Sequence, residues 1–378
     1  MSKRRKKEEQ EFLARAMIAE KDVKTLEEVK SFLELEFQRR TASKLYDTYI
    51  KGTREAVEYN ECPKVYSSFN FDGAVSGRLS CSKYTADKPM GVSFHTLPRE
   101  ANDVNIRDIY TAPPGWCFVT ADEKGMELRV MAHVSKEDKM LEAFRAKKDL
   151  HTYSASLTFG VPEEKVTKEQ RQIAKESSFL VIFGGTEYTL ASKRRISLTR
   201  AKQVIENWYK AFPGVKSYKE YIHNFLRENK YVYSIFGRKR RLPNIDSRDR
   251  SIVAHTLNQG LNFTVQSTAS DILLCAILGI CRDIRQRGLS DSAKFIASVH
   301  DSVELICRKE VVEDILNIIF KNMVEIPIMK EVFGIDFTVP FEVDCEVGPS
   351  FGTAKDVKFS DSGEILNVPE IKSYMETF

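Results

Sequence analysis

The sequence predicts an α+β fold in which a block of helices interrupts sheet-forming segments. Two patterns predict it. Apolar residues recur at helical spacing over residues 127–229 and again over 248–288, whereas residues 116–121, 231–236, 295–299 and 303–307 read as strands. The last two strands are only a few residues apart, which is a hairpin signal. Length and composition agree with a folded chain. At ~100 to 200 residues per domain, 378 residues suit two or three domains and a large core. With 42% hydrophobic and 30% charged residues, disorder is excluded as the main state.

In chain order, the first 60 residues are charged and helical in pattern. Leu26, Val29, Leu33 and Phe37 recur at three- and four-residue spacing, and Leu45 with Tyr49 and Tyr46 with Ile50 continue the pattern, giving two or three amphipathic helices. Pro63, Gly73, Gly77, Pro89, Gly91, Pro98, Pro113, Pro114 and Gly115 then punctuate a loop-rich stretch before the strand at 116–121. A helix is expected to begin near Glu127. After the helical block comes the strand at 231–236, which leads into the basic turn of Gly237, Arg238, Lys239, Arg240 and Arg241. The longest apolar run, residues 272–281, is half the ~20 residues that a membrane span needs and reads as a buried helix. No membrane partner is expected.

The N-terminal Lys3, Arg4, Arg5, Lys6 and Lys7 run into Glu8, Glu9 and Glu11 without an apolar segment, which is not a signal peptide. Seven cysteines form no C-x-x-C pair, so a reducing, cytoplasmic setting is expected rather than a disulfide framework or a structural zinc site. The 58 Lys and Arg against 54 Asp and Glu leave +4, too little to announce nucleic-acid binding by itself. The clustering of that charge says more.

Three constellations carry chemistry. Asp122 follows the strand at 116–121, and Asp301 with His300 sits at the tip of the later hairpin. Taken alone, each aspartate is an ordinary turn or capping residue. Together, carboxylates on adjacent sheet segments can hold two Mg²⁺ ions ~3.5 to 4 Å apart for in-line phosphoryl transfer. The third constellation is a helix. At 100° per residue, Arg171, Lys175, Phe179 and Phe183 share one face, and Ile173, Ala174, Ser177, Leu180 and Val181 share the other. Two cations at the N-terminal end followed by a flat aromatic one turn on suit a nucleotide, phosphates first and then sugar and base. Lys193, Arg194 and Arg195, and the basic turn with Arg240 and Arg241, offer candidate surfaces for a phosphate backbone.

These residues resemble the family A DNA polymerases, the group of bacterial DNA polymerase I and its phage relatives. Residues 120–135 (TADEKGMELRVMAHVS) resemble the family's first motif, 171–184 (RQIAKESSFLVIFG) the second, and 298–304 (SVHDSVE) the third. SGRLS at 76–80, DLHT at 149–152, GRKRRLP at 237–243 and NFTVQSTASD at 262–271 extend the likeness over roughly three quarters of the chain. The resemblance implies a right-hand polymerase with an antiparallel-sheet palm, helical fingers and a reduced helical thumb. It implies metal-binding Asp122 and Asp301, which with Lys175 form the catalytic set, and two Mg²⁺ ions as cofactor. His151, Arg171 and Lys175 would hold the triphosphate of the incoming deoxynucleotide, and Phe179 would pack on its sugar and base with Phe183 beside it. Glu127 would crowd the ribose 2′ position. Arg78, Gln266 and His300 would lie along the primer-template DNA.

The chain departs from the family pattern in places. Ser302 stands where a glutamate usually follows the aspartate, leaving Glu304 as a substitute on the same strand face. Ser178 and Phe183 stand for an asparagine and a tyrosine, and His95 and Thr96 for a glutamine and an asparagine. The expected organisation is a thumb-like region over 1–75, palm over 76–140 and 230–353, fingers over 141–229, and a tail over 354–378 whose apolar residues dock on the chain's own core or on a partner. No proofreading exonuclease is expected in the chain, so a separate exonuclease or processivity protein is an expected partner. Expected location is cytoplasmic, the host cytoplasm if phage-encoded. The expected activity is that of a DNA-directed DNA polymerase. The alternative is a DNA-binding polymerase-like subunit weakened in catalysis by Ser302; an RNA-synthesising relative is disfavoured by Glu127.

Overall fold

The structure, a computed structural model, describes residues 26–82, 91–98, 105–299 and 301–378. The basic run from Lys3 to Lys7 and His300 lie outside the described residues. The chain divides into two units, residues 1–67 with 83–106 and residues 68–82 with 107–378.

In the first unit, α1 (Leu26–Lys44) passes through a π-helical turn, Leu45–Ile50, into α2 (Lys51–Asn60). Leu45, Tyr49 and Ala56 are buried, and the Tyr49 hydroxyl donates to Thr96 O at 2.5 Å. The stripe expected along α1 is covered only in part. Val29 and Leu33 are half-buried, while Phe37 joins Phe32 and Leu35 among the exposed apolar side chains. Glu36, ion-paired to Arg39 and Arg40 at 2.7 Å each, supports the helix from its polar side.

The second unit holds the short hairpin β1 (Ser68–Asn70) and β2 (Ser80–Ser82), then β3 (Trp116–Glu123). Seven helices follow: α3 (Met126–Ser135), α4 (Asp138–Arg145), α5 (Leu150–Phe159), α6 (Lys168–Ile182), α7 (Glu187–Arg194), α8 (Leu198–Ala211) and α9 (Pro213–Asn229). Their starts are written locally. Asp149 caps α5 by accepting from Thr152 N, Ser197 caps α8, and Thr167 with Gln170 closes a reciprocal capping box on α6. The hairpin β4 (Tyr231–Tyr233) and β5 (Lys239–Arg241) precedes the 37-residue α10 (Arg250–Gln286). The expected strand at 231–236 is thus only three residues long. Ser234 leaves the ladder to close a turn, accepting from Gly237 N while its own N–H donates to Arg238 O, and Gly237 takes a φ of +82°.

Strands β6 (Ala293–Val299) and β7 (Ser302–Arg308), helices α11 (Val312–Phe320) and α12 (Pro327–Phe333), strands β8 (Val343–Gly348) and β9 (Lys355–Val357), and helix α13 (Val368–Met375) complete the unit. The main sheet runs β6-β7-β3-β8-β9, antiparallel throughout. With side chains alternating along β3, Cys117, Val119 and Ala121 are wholly buried against α10 and α11, while Thr120 and Asp122 face the other way, half-buried. Helix α10 is the shared pillar. Leu261, Phe263, Val265 and Ile272 join the core of the helical block, and Ala276, Ile280 and Ile284 join the core under the sheet. It is long and apolar enough to cross a membrane, but 83% of its most apolar window is buried in the protein, as expected of a core helix. The C-terminal segment docks on the chain's own core. Ile371 and Met375 are 2% and 4% exposed in the cluster under the sheet, and Lys309 Nζ donates to Met375 O at 2.7 Å.

Candidate active site

Strand β3 runs two residues beyond 121, so Asp122 lies inside the strand. The register sets it opposite Ser302 on β7 and Asp344 on β8. Asp301 immediately precedes Ser302, and its carbonyl accepts from Glu123 N at 3.5 Å, so the two aspartates sit at the same end of adjacent strands. From the loop between β1 and β2, Arg78 Nη2 reaches Asp301 Oδ1 at 2.9 Å and Glu127 Oε1 at 3.0 Å. Burial, then the nearby charge of Asp301, pushes the Glu127 carboxyl up, and Arg78 opposes this. Asp344 adds little to the cleft, because Lys124 pairs with it at 2.7 Å.

Two further carboxyls lie here, Glu304, which the sequence offered as a substitute, and Glu123, which it did not single out. Glu304, opposite Thr120 in the register, is 2% exposed. Ser302 Oγ, 2.6 Å from its Oε1, and Thr120 Oγ1, 2.5 Å from its Oε2, both donate to it. Both oxygens therefore have partners within the sheet. Burial still pushes the group up to about 7, against those two hydroxyls. Glu123 turns to the apolar face of β3, is 6% exposed, and has no hydrogen-bond partner for either oxygen among the described residues. Burial pushes its pKa well above the carboxylate range, with Asp122 and Asp301 adding and Arg129 opposing. The signal was available, since strict alternation from Cys117 puts 123 on the buried face.

The donor set suits a hard divalent cation. Among the described residues no group of three or more His, Cys, Asp or Glu is placed to hold a metal. A Mg²⁺ ion commonly takes only one or two carboxylates and completes its shell with water and substrate phosphates, which Asp122 and Asp301 can match. That the guanidinium of Arg78 rests on Asp301 and Glu127 shows that this cleft attracts positive charge.

On α6, Arg171, Lys175 and Phe179 share the half-exposed face, and Ile173, Ala174, Ser177 and Val181 are buried behind it. Phe183 falls one residue past the helix, not on it as the spacing suggested, yet it still stacks on Phe179 with centroids 6.0 Å apart and planes at 11°. Gly184, at φ +68°, turns the chain there, and a Cβ would lie 2.5 Å from Asn258. His151, on α5, lies 6.1 Å from the Phe179 ring. Its Nδ1 is buried without a partner among the described residues, and burial, helped by Lys175 and Arg171, pushes its pKa down to about 4 against the pull of Asp149. At neutral pH it is an uncharged imidazole beside two cations. Asp149, besides capping α5, grips Arg171 through two bonds of 2.7 and 3.0 Å, a pairing the sequence did not announce.

Of the residues expected along primer-template DNA, Gln266 is half-buried on α10, Arg240 lies over the Phe263 ring at 5.7 Å, and Arg241 is exposed on β5. The other basic run is partly spent. Glu176 takes Arg194 at 2.5 Å and Lys193 at 3.8 Å, so two of those three charges serve the helix pair rather than a free surface.

Comparison with known proteins adds a family and a length. The sequence model of DNA polymerase family A matches residues 3–353. DNA polymerase I of Chloroflexus aurantiacus is 32% identical over 313 residues, covering 82% of this chain and 31% of that protein. DNA polymerase I of Geobacillus stearothermophilus is 31% identical, covering 84% and 34%. The thermostable DNA polymerase I of Thermus aquaticus is 28% identical, covering 88% and 38%. The chain spans about a third of the length of these curated relatives. Among solved structures, the POL domain of Pol1 from M. smegmatis, in complex with DNA primer-template and dNTP, matches with a TM-score of 0.73 at 28% identity, covering 83% of this chain and 52% of that one.

Proposed function

The chain belongs to DNA polymerase family A, and from that premise we propose that it is a DNA-directed DNA polymerase adding deoxynucleotides to a primer 3′ end by two-metal nucleotidyl transfer. Its substrates are primer-template DNA and deoxynucleoside triphosphates. The observation that carries the reading is that one unit combines the strand-end carboxylates Asp122 and Asp301 with a helix face bearing two cations and an aromatic pair. The main sheet serves as palm and the block from α4 to α9 as fingers. The cysteine usage suits a cytoplasmic location.

Asp122 and Asp301 would hold divalent ions, taken to be Mg²⁺, which when bound activate the primer hydroxyl and neutralise charge on the triphosphate. Lys175 and Arg171 orient the phosphates, with Asp149 fixing the guanidinium of Arg171 in place. His151 donates as a neutral imidazole. Phe179 and Phe183 offer a flat surface to sugar and base. Glu127 stands beside the site where the sugar 2′ position would lie, and Arg78 must yield Asp301 for the ions to bind.

Primer extension on a defined template with Mg²⁺, comparing deoxy- and ribonucleotides, tests the reading. Extension with deoxynucleotides that Asp301→Ala abolishes is the expected result. A second reading, a binding subunit with weakened catalysis, is favoured by Ser302 and by the two hydroxyls that occupy Glu304. Folded protein that binds primer-template but does not extend it would select that reading.

A further inference from the structure

Away from the carboxylate cleft and from the exposed face of α6, a cavity of about 530 Å³ opens where the C-terminal turn of α5 meets α8. Three cations line it, Lys139, Arg200 and Lys210, together with Thr158, Gln203 and Asn207; the rest of its described lining is apolar side chains and a glycine, with no carboxylate. Among the described residues neither Arg200 nor Lys210 makes an ion pair. Both are exposed. Lys139 uses one of its three donors on Ala211 O at 3.0 Å and keeps two. The polar floor is ordered by a relay in which Gln203 Nε2 donates to Asn207 Oδ1 at 2.8 Å and Asn207 Nδ2 to Thr158 O at 3.1 Å. Thr158 is 2% exposed, and its hydroxyl is closed to solvent, without a hydrogen-bond partner among the described residues.

We propose that this cavity is a second phosphate-binding site. Three cations are more than a single carboxylate would neutralise, whereas a phosphate group carries about −1.5 to −2 and several acceptor oxygens. The volume lies within the ~300 to 1,000 Å³ usual for small-molecule sites, so the phosphates of a pyrophosphate or a nucleotide fit. Arg200 supplies a planar fork, and Lys139 and Lys210 supply point charges. A single-stranded template leaving the cleft carries −1 at each phosphodiester and would engage the three cations through successive phosphates. The proposal stands whether or not the polymerase reading holds.

The test is equilibrium binding of inorganic pyrophosphate to the chain without divalent metal, in a Lys175→Ala background that weakens the other candidate anion site. Adding Arg200→Ala with Lys210→Ala is expected to weaken the remaining binding about tenfold. Both cations are exposed, so the double variant should keep the parent's melting temperature. A second arm measures affinity for primer-template with a long or a minimal single-stranded overhang. Loss of pyrophosphate binding assigns the site to free phosphates; loss confined to the long overhang assigns it to the strand. Unchanged binding in both arms overturns the proposal.

Discussion

At Glu127, one carboxylate is shared between a helix start and the guanidinium of Arg78, which also holds Asp301. Its proposed task is to exclude the ribose hydroxyl by occupying that space. Glu127→Ala is expected to raise the kcat/KM for ribonucleotides relative to deoxynucleotides by about 10- to 200-fold, the range one small group commands in a pocket; single-nucleotide kinetics with both substrates check it. His151 gives a second prediction. With its pKa pushed down to about 4, it is neutral in the free chain above about pH 5, and a triphosphate beside it favours the cation. Histidine NMR should show its titration moving upward when a deoxynucleotide binds. An unmoved titration would separate His151 from the phosphates. Both residues were legible in the sequence through their motifs; Asp149 as partner of Arg171 was not, because that pairing crosses from one helix to the next.

Helix α6 shows what an element adds to its residues. Its capping box and its two faces follow from local sequence, since caps act within three residues and side chains advance 100° per residue. How firmly the face is held depends on α8. Trp208, wholly buried, donates from Nε1 to Ser178 Oγ at 3.0 Å, and Ser178 in turn donates to Ala174 O at 2.9 Å. Ser178→Ala would strand the indole N–H in the core and is expected to cost about 1 to 3 kcal/mol. Urea unfolding measures this, with no change expected in how the denaturant slope scales with surface exposed. At the same scale, the strand expected at 231–236 stops at Tyr233 because a serine and a glycine turn the chain before the apolar run ends. The stripe along α1 was readable as periodicity, but its depth of burial was not.

For the whole molecule, Glu304 ties the core to pH. Its carboxyl is raised by burial from near 4.5 in the unfolded chain to about 7 in the fold, so between these values the folded state binds more protons than the unfolded state. Stability must then fall as pH rises from about 4.5 to about 7 and level off above, by roughly 3 kcal/mol in total from this group. Glu304→Gln should flatten that part of the profile, leaving the variant more stable relative to wild type at pH 8 than at pH 5. Denaturant unfolding at the two values decides it, and equal differences at both would show that Glu304 does not titrate in this window.

The sequence by itself determined the α+β class, the strand at 116–121, the later hairpin and the helical block between them, the motif set that places the chain in its family and the face of α6 that bears Arg171, Lys175 and Phe179. These are local properties, carried by periodicity, caps and turns within a few residues. Tertiary structure alone decided the partners. Arg78 meets Glu127 across 49 residues and Asp301 across 223, and Thr120 meets Glu304 across 184. Whether a carboxylate is bare, paired or buried depends on which strands and helices close around it, and those contacts form between positions that no short window of sequence holds together.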